Sequence, residues 1–129
     1  MQIEHVALWT RDLERARAFY EGYFEARAGK KYVNAERHFA SYFLTFASGA
    51  RLELMTLPDL GDAQDGDAPD RVGYAHLAFS VGSEESVDAL TARLQADGYR
   101  VVSAPRRTGD GYYESCVLDP DGNRVEITI

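Results

Sequence analysis

The sequence predicts an α+β fold made of two similar modules within one domain, residues 1–129. Each module reads as strand, helix, strand, strand, strand. Two observations carry this reading. The first is a recurring histidine followed by a recurring glutamate. His5 sits in Ile3-Glu4-His5-Val6-Ala7-Leu8 and Glu53 in Gly49-Ala50-Arg51-Leu52-Glu53-Leu54. His76 sits in Tyr74-Ala75-His76-Leu77-Ala78-Phe79 and Glu126 in Gly122-Asn123-Arg124-Val125-Glu126-Ile127. The second observation is the stretch from Pro58 to Arg71, rich in Asp, Gly and Pro, which buries little apolar surface. It reads as a linker, about 58–71, between modules of about 1–57 and 72–129. His76 follows His5 by 71 positions and Glu126 follows Glu53 by 73, so one short insertion reconciles the halves.

The elements follow in order. A strand surrounds His5. Asp12 is a good N-cap, and Leu13, Ala16, Phe19 and Tyr23 recur at helical spacing. Strand-like runs then fall at about 30–34, 37–46 and 50–57. In the second half a strand surrounds His76. A helix begins near Ser83 with Val87, Leu90 and Leu94 on one face, and Gly98 suits its C-terminal end. Further strands are expected at about 99–104, 111–118 and 123–129. Asp119-Pro120-Asp121-Gly122 is a strong turn between the last two.

Bulk properties narrow the function. A net charge of -7 favours solubility and disfavours nucleic acid as a partner. No apolar run approaches membrane-spanning length. The N-terminal residues show no secretory signal, which fits a cytoplasmic protein. Cys116 is the single cysteine, so no intrachain disulfide forms. It lies in an apolar stretch and reads as a packed residue rather than a nucleophile.

Strand alternation places the recurring residues on one kind of face. Val6 and Leu8 oppose His5, Ala7 and Trp9. Leu52 and Leu54 oppose Arg51, Glu53 and Met55. Leu77 and Phe79 oppose Tyr74, His76 and Ala78. Val125 and Ile127 oppose Arg124, Glu126 and Thr128. The apolar residues would pack beneath the helices, and the histidines and glutamates would face the other side of a curved sheet. Two imidazoles and two carboxylates form a good ligand set for a divalent transition metal.

At this point the chain resembles the vicinal oxygen chelate superfamily, which includes glyoxalase I, extradiol dioxygenases, fosfomycin-modifying enzymes, methylmalonyl-CoA epimerase and bleomycin resistance proteins. The likeness covers nearly the whole chain. It rests on His-Val-Ala at 5–7, Ala-Phe-Tyr at 18–20, Glu53, His76-Leu-Ala-Phe and Asp119-Pro-Asp-Gly-Asn-Arg-Val-Glu126. It implies two βαβββ modules forming an open, cup-shaped mixed sheet with the helices packed outside. The set His5, Glu53, His76 and Glu126 looks most like that of glyoxalase I. This implies one divalent metal ion (Ni, Co, Mn, Fe or Zn), a small-molecule substrate and a homodimer.

A glyoxalase I-like lyase isomerises the adduct of a thiol and a 2-oxoaldehyde through an enediolate. By resemblance Glu126 is the catalytic base, with Glu53 able to serve the opposite face. Glutathione-using glyoxalases carry an arginine four residues after the first histidine, where this chain has Trp9. They also carry an asparagine beyond the first glutamate, and Met55-Thr56-Leu57-Pro58 has none. A different thiol, or a substrate without one, fits as well. Trp9, Tyr74, Arg51 and Tyr113 are candidate substrate contacts. Arg51 and Arg124 also suit structural pairing, Tyr112 could border the opening, and His38 reads as an exposed histidine.

Two other functions compete. One is a ring-cleaving dioxygenase, which normally leaves three metal positions open beside two His and one carboxylate. The other is a non-catalytic drug-binding protein of the bleomycin resistance kind, which needs no metal ligands.

Overall fold

The structure is a computed structural model that describes residues 1–61, 73–109 and 111–129. The chain divides into two compact units, Met1–Asp62 and Ala63–Ile129. Positions 62–71 of the expected linker lie outside the described residues. None of the described helices is long and apolar enough to cross a membrane.

The first unit contains β1 (His5–Trp9), α1 (Leu13–Phe24), β2 (Arg27–Ala28), β3 (Tyr32–Asn34), β4 (Phe39–Thr45) and β5 (Arg51–Thr56). Its strands run in the order β1-β5-β4-β2, with β3 also on β4. β1 and β5 are parallel, and β4 and β5 antiparallel. The first expected run, 30–34, is one interrupted strand here. β2 pairs with Ala28 opposite Leu44, β3 pairs with Val33 opposite Ala40, and Gly29 N–H donates to the Phe43 carbonyl between them at 2.9 Å.

Asp12 caps α1 by accepting from the Arg15 N–H at 3.0 Å. The helix ends at Glu25, in the left-handed region at φ 56. Leu13, Ala16, Phe19, Tyr20 and Phe24 are buried. Tyr23, expected on this face, is only half-buried. The packed stripe runs through positions 13, 16, 20 and 24, steps of three and four, and Tyr23 falls on its flank against Phe19. Leu44, Leu52 and Leu54 are buried in the sheet that α1 packs on.

The second unit contains β6 (Leu77–Ser80), α2 (Glu84–Ala96), β7 (Val101–Arg107), β8 (Tyr113–Leu118) and β9 (Arg124–Thr128). Its sheet order is β6-β9-β8-β7, with β6 parallel to β9 and the other pairs antiparallel. Ser83 caps α2 through the Ser86 N–H at 3.1 Å. Gly98 at φ +90 follows the last turn, where a side chain would be strained. Val87, Thr91 and Leu94 are buried under the helix, and Leu90 is half-buried. A polar residue at 91 is tolerated because its hydroxyl meets Ser115 Oγ at 2.6 Å and donates to the Val87 carbonyl. β7 extends to Arg107, beyond the expected 99–104. It lies at the sheet edge, where Pro105 forfeits no ladder bond that the sheet needs, and its register with β8 shifts twice. Each unit is thus an α+β layer with an open mixed sheet and its helix on one face.

Candidate metal centre

The same local geometry appears in both units. Ala7, two residues after His5, stands opposite Glu53 on the parallel β1–β5 pair. Ala78, two residues after His76, stands opposite Glu126 on the parallel β6–β9 pair. His5 opens β1, whereas His76 is the residue just before β6 rather than within it. His5 Nε2 lies 3.9 Å from Glu53 Oε2, and His76 Nε2 lies 3.1 Å from Glu126 Oε2. The glutamates are the more sheltered partners, with side chains 15% and 22% exposed against 41% and 39% for the histidines.

One of these pairs has the spacing of two donors on a divalent ion. Metal–N and metal–O bonds of about 2.0–2.2 Å at octahedral or tetrahedral angles separate two donors by roughly 2.8–3.6 Å. The His76–Glu126 pair falls inside that window and the His5–Glu53 pair just outside it. Among the described residues no three His, Cys, Asp or Glu side chains are grouped as a metal cluster, so the structure displays pairs. Burial raises the Glu126 carboxyl above its usual value, opposed by His76 and reinforced by Glu114. A less acidic carboxylate is a better proton acceptor.

His5 has further neighbours. Its Nδ1 is hydrogen-bonded to Glu4 Oε2. Glu4 also accepts from Arg51 Nε at 2.8 Å and from an Arg51 terminal nitrogen. The Glu4 carboxyl is held below its ordinary value, first by the His5 bond and then, against some desolvation, by Arg51. The Arg51 guanidinium lies 4.2 Å over the Phe43 ring, and Phe43 meets His5 edge-on at 5.4 Å. Arg51, considered above both as a substrate contact and for structural pairing, is paired with Glu4 in this structure.

Phe43 stands opposite Glu53 on β4, and Ser41 opposite Met55. Alternation then puts Phe39 on the same open face, and Tyr32 joins it through its pairing with Ser41. Trp9 meets Phe39 edge-on at 6.3 Å, and Tyr32 lies 6.0 Å from Phe39. Trp9 and Tyr32 are 47% and 56% exposed. Phe39, Phe43, Tyr32 and Glu4 were not picked out from the sequence. For Phe39 and Phe43 the signal lies in the alternation of Phe39-Ala40-Ser41-Tyr42-Phe43.

The remaining candidates separate. Tyr113 alternates with the buried Ser115 and Val117 and so lies on the helix side. Its hydroxyl donates to Asp88 Oδ1 of α2 at 2.8 Å, which removes it from the open face where substrate was expected. Tyr74 is fully exposed before β6, and Tyr112 is exposed. His38 is exposed at φ 52 in the β3–β4 turn. Elsewhere in the second unit, Arg106 of β7 pairs with Glu114 at 3.3 Å, and Arg107 with Glu84.

A family model described as the Glyoxalase/Bleomycin resistance protein/Dioxygenase superfamily matches residues 2–127. The chain belongs to this superfamily. It is 30% identical to the uncharacterized protein YqjT of Bacillus subtilis (strain 168), over 97% of this chain and 96% of that one. The crystal structure of a glyoxylase/bleomycin resistance protein/dioxygenase domain from Frankia sp. EAN1pec superposes with a TM-score of 0.82. It shares 22% identity and covers all of this chain and 97% of that one. Glyoxalase I from Zea mays superposes with a TM-score of 0.79 at 20% identity, over 98% of this chain. The chain spans 44% of the maize protein's length. At these identities the two structures establish the superfamily fold.

Proposed function

We propose that the protein is a divalent-metal-dependent lyase or isomerase of glyoxalase I type, acting on a small oxo-carbonyl or thiol-adduct substrate. The carrying observation is the His–Glu pair recurring at the same register, His5 with Glu53 and His76 with Glu126. In this reading the four residues hold one Ni, Co, Mn, Fe or Zn ion, and the protein is a cytoplasmic homodimer. When bound, the ion supplies positive charge beside the substrate's vicinal oxygens.

The protein's own residues carry the proton. A Glu126 oxygen accepts a proton from one carbon and returns it to the neighbouring carbon, so the reaction is a redox-neutral isomerisation. Glu53 is its counterpart on the other face. Trp9, Phe39 and Tyr32 supply a row of rings on the open face of the first sheet, suited to a flat apolar group. Trp9 in place of the arginine of glutathione-using enzymes favours a substrate other than a glutathione adduct.

Elemental analysis of the wild type and His76→Ala tests the reading. About one metal ion per chain, lost in the variant, supports it. Glu126→Gln should then abolish proton exchange on oxoaldehyde adducts. Absence of metal, with added Ni²⁺ binding no better to wild type than to His76→Ala, overturns it. The row of rings also favours a second reading, a non-catalytic protein that sequesters a flat drug. Tight binding of an aromatic cationic drug by metal-stripped protein would select that reading.

A further inference from the structure

We propose that Glu4 is a positioning residue for the first half-site: it fixes the His5 ring in the tautomer that leaves Nε2 free to bind metal, and Arg51 in turn fixes Glu4. This rests on the reading of His5 as a ligand. His5 Nδ1 is hydrogen-bonded to Glu4 Oε2. An ionised carboxylate only accepts, so the proton of that bond sits on Nδ1. A neutral imidazole carries one N–H, and Nε2 therefore keeps its lone pair. That lone pair belongs to the nitrogen 3.9 Å from Glu53 Oε2. Two acceptors face each other there, and a cation between them satisfies both.

The support for Glu4 closes on itself. Oε2 serves His5, while Oε1 accepts both Arg51 bonds. Arg51 is held over Phe43, and Phe43 packs edge-on against His5. The Arg51 backbone N–H donates to the Glu4 carbonyl at 2.9 Å, which places Glu4 one residue ahead of β1. Residues that orient a ligating histidine through its second nitrogen typically contribute about 10–100-fold to metal affinity. The residue preceding His76 is Ala75, which offers no carboxylate.

The test is nitrogen NMR of histidine-labelled, metal-free protein above the pH at which His5 loses its second proton. Wild type is expected to carry the His5 proton on Nδ1. Glu4→Ala should move it to Nε2, and Glu4→Gln, whose carbonyl still accepts, should largely retain it. The His76 signals should be unchanged in both. Ni²⁺ titration should show binding weakened about 10-fold or more in Glu4→Ala, with Glu4→Gln nearer to wild type. A wild-type proton on Nε2, or a tautomer unaffected by Glu4→Ala, overturns the proposal. Wild type that binds no Ni²⁺ overturns the metal reading instead, and the tautomer still decides whether Glu4 holds the ring.

Discussion

Cys116 stands directly opposite Glu126 across the β8–β9 pair, on the open face of the second sheet. Burial first, and the Glu126 carboxylate second, push its thiol up to about 11. Only on the order of one thiol in a thousand is then ionised at pH 8. Alkylation of native protein by iodoacetamide should be roughly 100-fold slower than that of an unperturbed cysteine. The rate should climb with pH towards 11. Equal rates for native and guanidinium-unfolded protein would refute this.

The Thr91–Ser115 bond joins α2 to β8 where both side chains are buried. Thr91→Val leaves the Ser115 hydroxyl unsatisfied, at a cost of about 1–3 kcal/mol, whereas in Ser115→Ala the Thr91 hydroxyl still donates to the Val87 carbonyl. Thr91→Val should lower the unfolding free energy measured in urea by that amount, and Ser115→Ala by less. The double variant should lose less than the sum, because no orphaned hydroxyl remains.

Tyr113 gives the fold an alkaline edge. The hydrogen bond to Asp88 raises its phenol above the ordinary value of 10.0, with desolvation adding to the effect. A raised folded value means the neutral form is favoured in the native state. The associated stability is full below pH 10 and is lost as pH rises through the folded value. In Tyr113→Phe this component of the alkaline loss should vanish from urea midpoints measured between neutrality and pH 11. An unchanged pH profile would show that the bond is not formed in solution.

Asp119 organises the turn that delivers β9. Its carboxylate accepts from the N–H groups of Asp121 and Asn123 and from Asn123 Nδ2, each at 2.9 Å. It is buried, so Asp119→Ala leaves several donors unmet and should cost about 1–3 kcal/mol. On the proposed metal reading, Ni²⁺ binding should weaken along with stability, because this turn leads into β9 and Glu126. Destabilisation with unchanged metal affinity would separate the turn from the site.

Much of this molecule can be read from one dimension. Asp12 and Ser83 announce the helix starts because an N-cap satisfies its own next turn, an interaction spanning three residues. Glu53 and Glu126 are legible because a period of two separates their faces from the leucines, valines and isoleucines beside them. Elements that depend on a partner strand were less legible. The short β2 exists because β4 offers an unpaired edge, and nothing in Arg27-Ala28 requires a strand. β7 runs on through Pro105 because an edge strand can spare a donor.

The sequence by itself determined the duplicated α+β plan, the helix starts, and the faces of Glu53 and Glu126 away from the helices. All of these follow from spacing along the chain. Only the tertiary structure decided the partners. It drew Tyr113 to Asp88 and Arg51 to Glu4, and it set Phe43 beside His5, through contacts between residues 25 to 47 positions apart. Such pairings depend on strand register and on side-chain reach across elements, which local periodicity does not encode.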